Sequence, residues 1–92
     1  MSQIEVINNP DTMRFEVTLD GHLAVLEYKL KGNKYFIIHT GVPKELGGKG
    51  VAQALAIHAL KFGDENGYET VIYCPYVKTF VKRHPDWKIE FA

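Results

Sequence analysis

The stretch Gly41-Val42-Pro43-Lys44-Glu45-Leu46-Gly47-Gly48-Lys49-Gly50-Val51-Ala52 decides how this chain folds. It joins a compact apolar run, Tyr35 to Ile38, to a strongly apolar run, Val51 to Phe62. The hydrophobic spacing switches across it from a period of about 2 to a period of about 3.6, so a strand enters and a helix leaves. Glycines at such a junction let backbone N–H groups approach an anion where side chains would block the way. The positive end of the helix dipole adds to the attraction. The stretch therefore reads as a cradle for the pyrophosphate of a nucleotide-bearing cofactor.

Upstream of the cradle the pattern is that of strands. Ile4 to Ile7 is a short strand candidate, broken by the turn residues Asn8-Asn9-Pro10-Asp11. Met13, Phe15, Val17 and Leu19 alternate with Arg14, Glu16 and Thr18, as in a half-buried strand. Asp20-Gly21 is a hairpin signal. Leu23 to Leu30 follows, with Leu26, Tyr28 and Leu30 on one face and Glu27 and Lys29 on the other. Lys31-Gly32-Asn33-Lys34 turns the chain into Tyr35–Thr40. Strands joined by turns this short form an antiparallel meander.

Downstream, Val51, Ala52, Leu55, Ala59 and Phe62 share one helical face, but Ile57 and Leu60 lie off it. A helix apolar on more than one stripe needs cover beyond the sheet. Gly63 and Gly67 punctuate its end. Thr70 to Cys74 reads as a strand, so strand, helix, strand implies a right-handed crossover with Tyr35–Thr40 and Thr70–Cys74 parallel. Pro75 opens a short helix to about Arg83. Pro85 stops it, and Asp86 to Phe91 alternates as a final edge strand. The expected fold class is α+β: a mixed sheet with an antiparallel meander, one buried crossover helix and a short C-terminal helix.

Composition narrows the function. Ninety-two residues make one small domain, residues 1–92, and a hydrophobic fraction of 46% suits a packed core. Lys+Arg and Asp+Glu are both 11, which argues against a nucleic-acid protein relying on bulk positive charge. One cysteine allows no internal disulfide and fits a reducing compartment. The opening Met-Ser-Gln-Ile-Glu carries no signal-peptide pattern, and no run reaches the roughly 20 apolar residues needed to span a bilayer. A cytoplasmic location is expected, with no membrane partner.

The C-terminal ends of the two parallel strands and the N-terminus of the helix between them face one side, the usual ligand edge of such sheets. The glycine loop, His39 and Cys74 collect there. The loop is not a Walker A motif, because no Gly-Lys-Ser/Thr follows at the required spacing, nor a full G-x-G-x-x-G.

The loop does resemble the acyl-CoA loop of the GCN5-related N-acetyltransferase superfamily, Arg/Gln-x-x-Gly-x-Gly/Ala. That pattern falls here on Gly47-Gly48-Lys49-Gly50-Val51-Ala52. Gly50 and Ala52 match, and Gly47 departs from the polar first residue. The longer string His39-Thr40-Gly41-Val42, Leu46 to Ala52 and Cys74-Pro75-Tyr76-Val77-Lys78 is similar to the small YjdJ-type subgroup of acetyltransferases, over nearly the whole chain. The resemblance implies that backbone amides from Leu46 to Val51 hold the pyrophosphate of acetyl-CoA. It implies a pantetheine arm between the two splayed parallel strands, and no metal. A backbone N–H around Thr40, Gly41 or Val42 would polarise the thioester carbonyl. Larger relatives have two helices between the first two strands that help build the acceptor pocket. This chain has no room for them after Asn8, so one sheet face is expected to be open to a substrate or partner chain, with room for weak self-association.

Cys74 is the only thiol. It reads either as an inert buried residue or as a thiolate at a helix N-terminus that carries the acetyl group. His39 is a candidate general base toward Cys74 or an acceptor ammonium, or a polar strand-end side chain bonded to backbone. Tyr76 packs, or protonates the departing CoA thiolate as the resemblance implies. Lys49, Lys78, Lys82 and Arg83 can meet CoA phosphates, or form a solvated basic face. His58 reads as structural, and His22 and His84 receive no role. Two further classes stand beside an acetyltransferase acting on an unidentified small-molecule or protein amine. One is a non-catalytic acyl-CoA-binding module; the other is an interaction domain using the open face.

Overall fold

A computed structural model describes residues 4–84 and 90–91. Six strands form one sheet in the order of the chain. They are β1 (Ile7–Asn9), β2 (Arg14–Leu19), β3 (His22–Lys31), β4 (Lys34–Gly41), β5 (Glu69–Ile72) and β6 (Glu90–Phe91). A 3-10 turn, Lys44–Leu46, and helix α1 (Val51–Glu65) link β4 to β5, and α2 (Pro75–Arg83) links β5 to β6. The first four strands pair antiparallel, while β4–β5 and β5–β6 are parallel. The α+β class and the meander follow the expectation.

The alternation in β2 and β3 buries Phe15, Val17, Ala24, Leu26 and Tyr28 on one face. α1 lies on that face. Its Val51, Leu55, Ala56, Ala59 and Leu60 are buried, and α2 packs beside it with Val77, Phe80 and Val81. α2 is thus the cover that the second apolar stripe of α1 required. Under the end of α1, Phe15, Tyr28, Tyr35, Phe62 and Tyr68 form a ring cluster, with Phe15–Tyr28 centroids 5.1 Å apart and Tyr35–Phe62 5.5 Å apart. The Tyr35 hydroxyl donates to the Ala59 carbonyl at 2.9 Å, and burial pushes its pKa far above the ordinary phenol value. Tyr35→Phe removes this one bond from a buried site while keeping the ring. It should cost about 1 kcal/mol, a fall in melting temperature of about 4–8 °C by calorimetry.

Four boundaries differ from the sequence expectation. β1 takes in Asn8 and Asn9, because the ladder to Phe15 and Arg14 outweighs their turn preference, and Ile4 to Val6 precede the strand. Met13 closes the turn at φ +54° rather than opening β2. β5 ends at Ile72, and Cys74 is the N-cap of α2. Gly63 does not end α1. It is buried inside the helix, where a Cβ would stand 2.5 Å from Thr70 Oγ1 and 2.8 Å from Tyr35 Cδ2, so its lack of a side chain sets how closely helix and sheet approach. The helix instead ends at Glu65 with Asn66 as its C-cap, and Gly67 follows in the left-handed conformation. The expected roles of Pro85, Trp87 and Ile89 lie outside the described residues, and Glu90–Phe91 pairs with Val71–Ile72 beside β5.

The other sheet face carries Val25, Phe36, Ile38 and Val71, half-buried, with Leu23 and Tyr73 exposed. Among the described residues no helix covers it. One irregularity interrupts the sheet. Glu27 pairs with His39 but Tyr28 pairs with Ile37, so Ile38 is an extra residue in β4.

Candidate functional site

Parallel pairing between β4 and β5 ends at Ile37 and Ile72. The Ile37 carbonyl accepts from the backbone N–H of both Tyr73 (2.8 Å) and Cys74 (3.2 Å). Beyond that point β4 runs on to Gly41 while the chain after β5 turns into α2. A gap therefore opens between the strands, floored on the helix side by Thr40 and Cys74.

The glycine stretch bounds a hollow of about 340 Å³ beside this gap. Its walls are Val42, Pro43 and Lys44, the glycines 47, 48 and 50, the first turn of α1 and Tyr76 of α2. Leu46, buried to 1% exposure, anchors the loop to the core. Gly50 caps α1 at φ +82°, a left-handed conformation that glycine adopts at little cost. The cap supplies no side-chain hydrogen bond, and the first turn holds no acidic residue. The first-turn amides have no partners within the helix. Nothing in that turn neutralises the positive helix end, and the hollow fits an anionic group there.

Cys74 is 2% exposed, and its thiol and the Thr40 hydroxyl are hydrogen-bonded at 3.2 Å, either group donating. His39 is exposed on the opposite face, with Nε2 3.6 Å from where a Gly41 Cβ would stand. The bulge at Ile38 sends the two apart: it turns Thr40 toward Leu26 and the helices and His39 toward Glu27 and the open face. Sequence alternation brings His39 to Cys74; the structure brings Thr40 there instead. Tyr76 lines the hollow two residues after the thiol. Burial chiefly raises its pKa, Arg83 lowers it and Cys74 raises it, so the phenol keeps its proton at neutral pH.

Comparison with known proteins bears on the fold and the family. Residues 14–89 match the model of a family described as GCN5-related N-acetyl-transferase. The chain belongs to the GCN5-related N-acetyltransferase family. It is similar to protein NATD1 of Xenopus tropicalis, 34% identical over 87 residues, which are 91% of this chain and 80% of the relative. Human protein NATD1 is 34% identical over 85 residues, 89% of this chain and 75% of the relative. A GCN5-like protein from Staphylococcus aureus, solved in solution by NMR, superposes with a TM-score of 0.73 at 26% identity, over all of this chain and 91% of that one.

Within this GCN5-related fold the expected phosphate lysines sort differently. Lys49 does not line the hollow; its ammonium pairs with Asp20 at 3.2 Å across the β2–β3 turn. Lys78 stands one turn into α2, its backbone N–H donating to the Cys74 carbonyl, also outside the lining. The cation at the hollow is Lys44, which the sequence reading passed over, together with Gln53. The 3-10 turn places Lys44 at the hollow, and the pair with Asp20 holds Lys49 away from it. His58 is exposed and bonds the Ala54 carbonyl of its own helix through Nδ1, and His84 stacks on Phe80 at 4.4 Å. Among the described residues no cluster of three His, Cys, Asp or Glu side chains is placed to hold a metal. Among them, too, no helix is long and apolar enough to cross a membrane.

Proposed function

We propose that this chain is an acetyl-CoA-dependent N-acetyltransferase of the small YjdJ type, moving acetyl to an amine. The observation that carries the reading is the hollow at the N-terminus of α1, where no side chain bonds the first amides, walled by three glycines and reaching Val42 past the end of β4 and Tyr76 in α2. The pyrophosphate sits against the amides from Leu46 to Val51 with Lys44 beside it, and the pantetheine arm follows the gap past Thr40. A backbone N–H in the Thr40–Val42 segment polarises the thioester carbonyl.

The amine approaches from the open face, where His39 accepts its proton. Its nitrogen lone pair forms the C–N bond as the C–S bond breaks, and the departing sulfur takes a proton from Tyr76. Direct transfer is favoured over an acetyl-Cys74 intermediate, because the group bonded to the thiol is a hydroxyl and not a base. Cys74→Ala should then keep acetyl-CoA binding and retain turnover within a few-fold. Intact-mass measurement checks this: a 1:1 acetyl adduct on the wild type, absent from the variant together with turnover, would move the reaction to the two-step route.

Release of free CoA thiol from acetyl-CoA, measured against a panel of amines, tests the activity. Amine-dependent release is expected. Tight acetyl-CoA binding without release for any amine would make the chain a binding module. No binding at all would remove both readings.

A further inference from the structure

The open face holds a second hollow, of about 410 Å³. Asp11 and Met13 wall it from the β1–β2 turn, Glu27, Tyr28 and Lys29 from β3, and Ile38 from β4. The turn is pinned in place. Thr12 and Met13 donate backbone N–H groups to Asn9 and Pro10, and the Met13 carbonyl accepts from the Tyr28 N–H at 3.0 Å. Met13 closes the turn at φ +54°, the left-handed conformation that Asp20 also takes in the β2–β3 turn.

The charge of the lining is biased. Asp11 and Glu27 face a single cation, Lys29. Arg14 lies opposite Glu27 in the β2–β3 ladder, but its guanidinium bonds Glu16 at 3.0 and 2.7 Å. Met13 and Ile38 supply apolar wall between the charges. The hollow also adjoins the reacting end of β4. Its wall residue Ile38 is the bulged residue, and Glu27 sits directly across the ladder from His39.

We infer that this hollow is the acceptor pocket, and that it takes a small aliphatic polyamine. One ammonium group is held by Asp11 and Glu27, the methylene chain lies on Met13 and Ile38, and a second nitrogen is presented at His39. The inference rests on the acyl-transfer reading for the identity of the donor. It supplies what the chain lacks relative to larger family members, a pocket made without the two helices after the first strand. The β1–β2 turn stands in their place.

Amide NMR spectra of the full chain, titrated with spermidine in the presence of CoA, test it. Saturable shifts are expected at residues 11–13, 27, 29 and 38. The double variant Asp11→Asn/Glu27→Gln should weaken them at least about tenfold, as loss of charged hydrogen bonds does, with CoA affinity unchanged. Spermidine shifts confined elsewhere, equal affinity in the double variant, or no saturable shifts would overturn the assignment. So would a lysine peptide that binds at these residues where spermidine does not. CoA binding at residues 42–53 is read from the same spectra. Failure of the donor reading and failure of the pocket are therefore separate results.

Discussion

Gly50→Val is expected to abolish the stabilisation of this protein by acetyl-CoA. For the wild type, ligand at one hundred times its dissociation constant contributes about 2.7 kcal/mol. In a domain of this size that raises the melting temperature by on the order of 10–20 °C. The variant should show no such rise. The reason is conformation rather than collision: only Ile4 Cδ1, at 4.0 Å, is near the space a Cβ would enter. A β-branched residue cannot hold φ +82° without a penalty of more than about 1 kcal/mol. The cap then relaxes, and the amides of residues 48–51 no longer converge on the hollow. Gly50→Asn tolerates the left-handed bend better and should keep weakened binding. Thermal shift with and without ligand, alongside amide spectra showing an intact fold, makes the comparison. A valine variant that binds normally would show that the loop is not the phosphate cradle.

Gly63→Val should be the most damaging single change to the fold. Helix propensity favours every side chain but proline over glycine, by up to about 1 kcal/mol. Here that gain loses, because the first atom added meets Thr70 Oγ1 and the ring of Tyr35, both held by the sheet. Overpacking of this kind costs about 1–3 kcal/mol, and valine's further methyls go to the upper end or beyond. A chain of 92 residues has about 5–14 kcal/mol of stability in all. The expected result is a fall in melting temperature on the order of 10–20 °C, or no folded protein. Gly63→Ala combined with Thr70→Ala should recover part of the loss of Gly63→Ala alone, since the nearest obstructing atom is gone. An unchanged melting temperature for both Gly63 variants would mean that α1 stands further from the sheet than described.

Local chemistry made much of this legible in the sequence. Asp20-Gly21 fixes a two-residue hairpin, and the change of period at the glycine stretch fixes where strand gives way to helix. Pro75 fixes the start of α2. What stayed hidden depends on partners distant in the chain. Asn8 and Asn9 are strand residues because β2 pairs with them, whatever their own preference. Gly63 looks like a stop signal until Tyr35 and Thr70 are seen against it. Lys44 and Lys49 are the same residue type in one loop, and the 3-10 turn at the first and Asp20, distant in sequence, beside the second separate them. The second hollow joins a turn to two strands and has no contiguous motif at all.

The extra residue in β4 acts as a shift of reading frame in the strand. Everything before Ile38 keeps its side and everything after it changes side, so the allocation of Thr40 to the thiol and His39 to the open face is a matter of counting, not of residue type. Deleting Ile38 would remove the bulge and leave both addresses as they are, with His39 opposite Glu27 and Thr40 opposite Leu26; pairing Ile38 into an unbroken ladder is what would deliver the imidazole to Cys74 and the hydroxyl to the open face. Two chains with the same histidine, threonine and cysteine can therefore run different chemistry if one bulges its fourth strand at this point and the other pairs it without interruption. In comparing members of this family, the pairing register of that strand carries as much meaning as the letters in it.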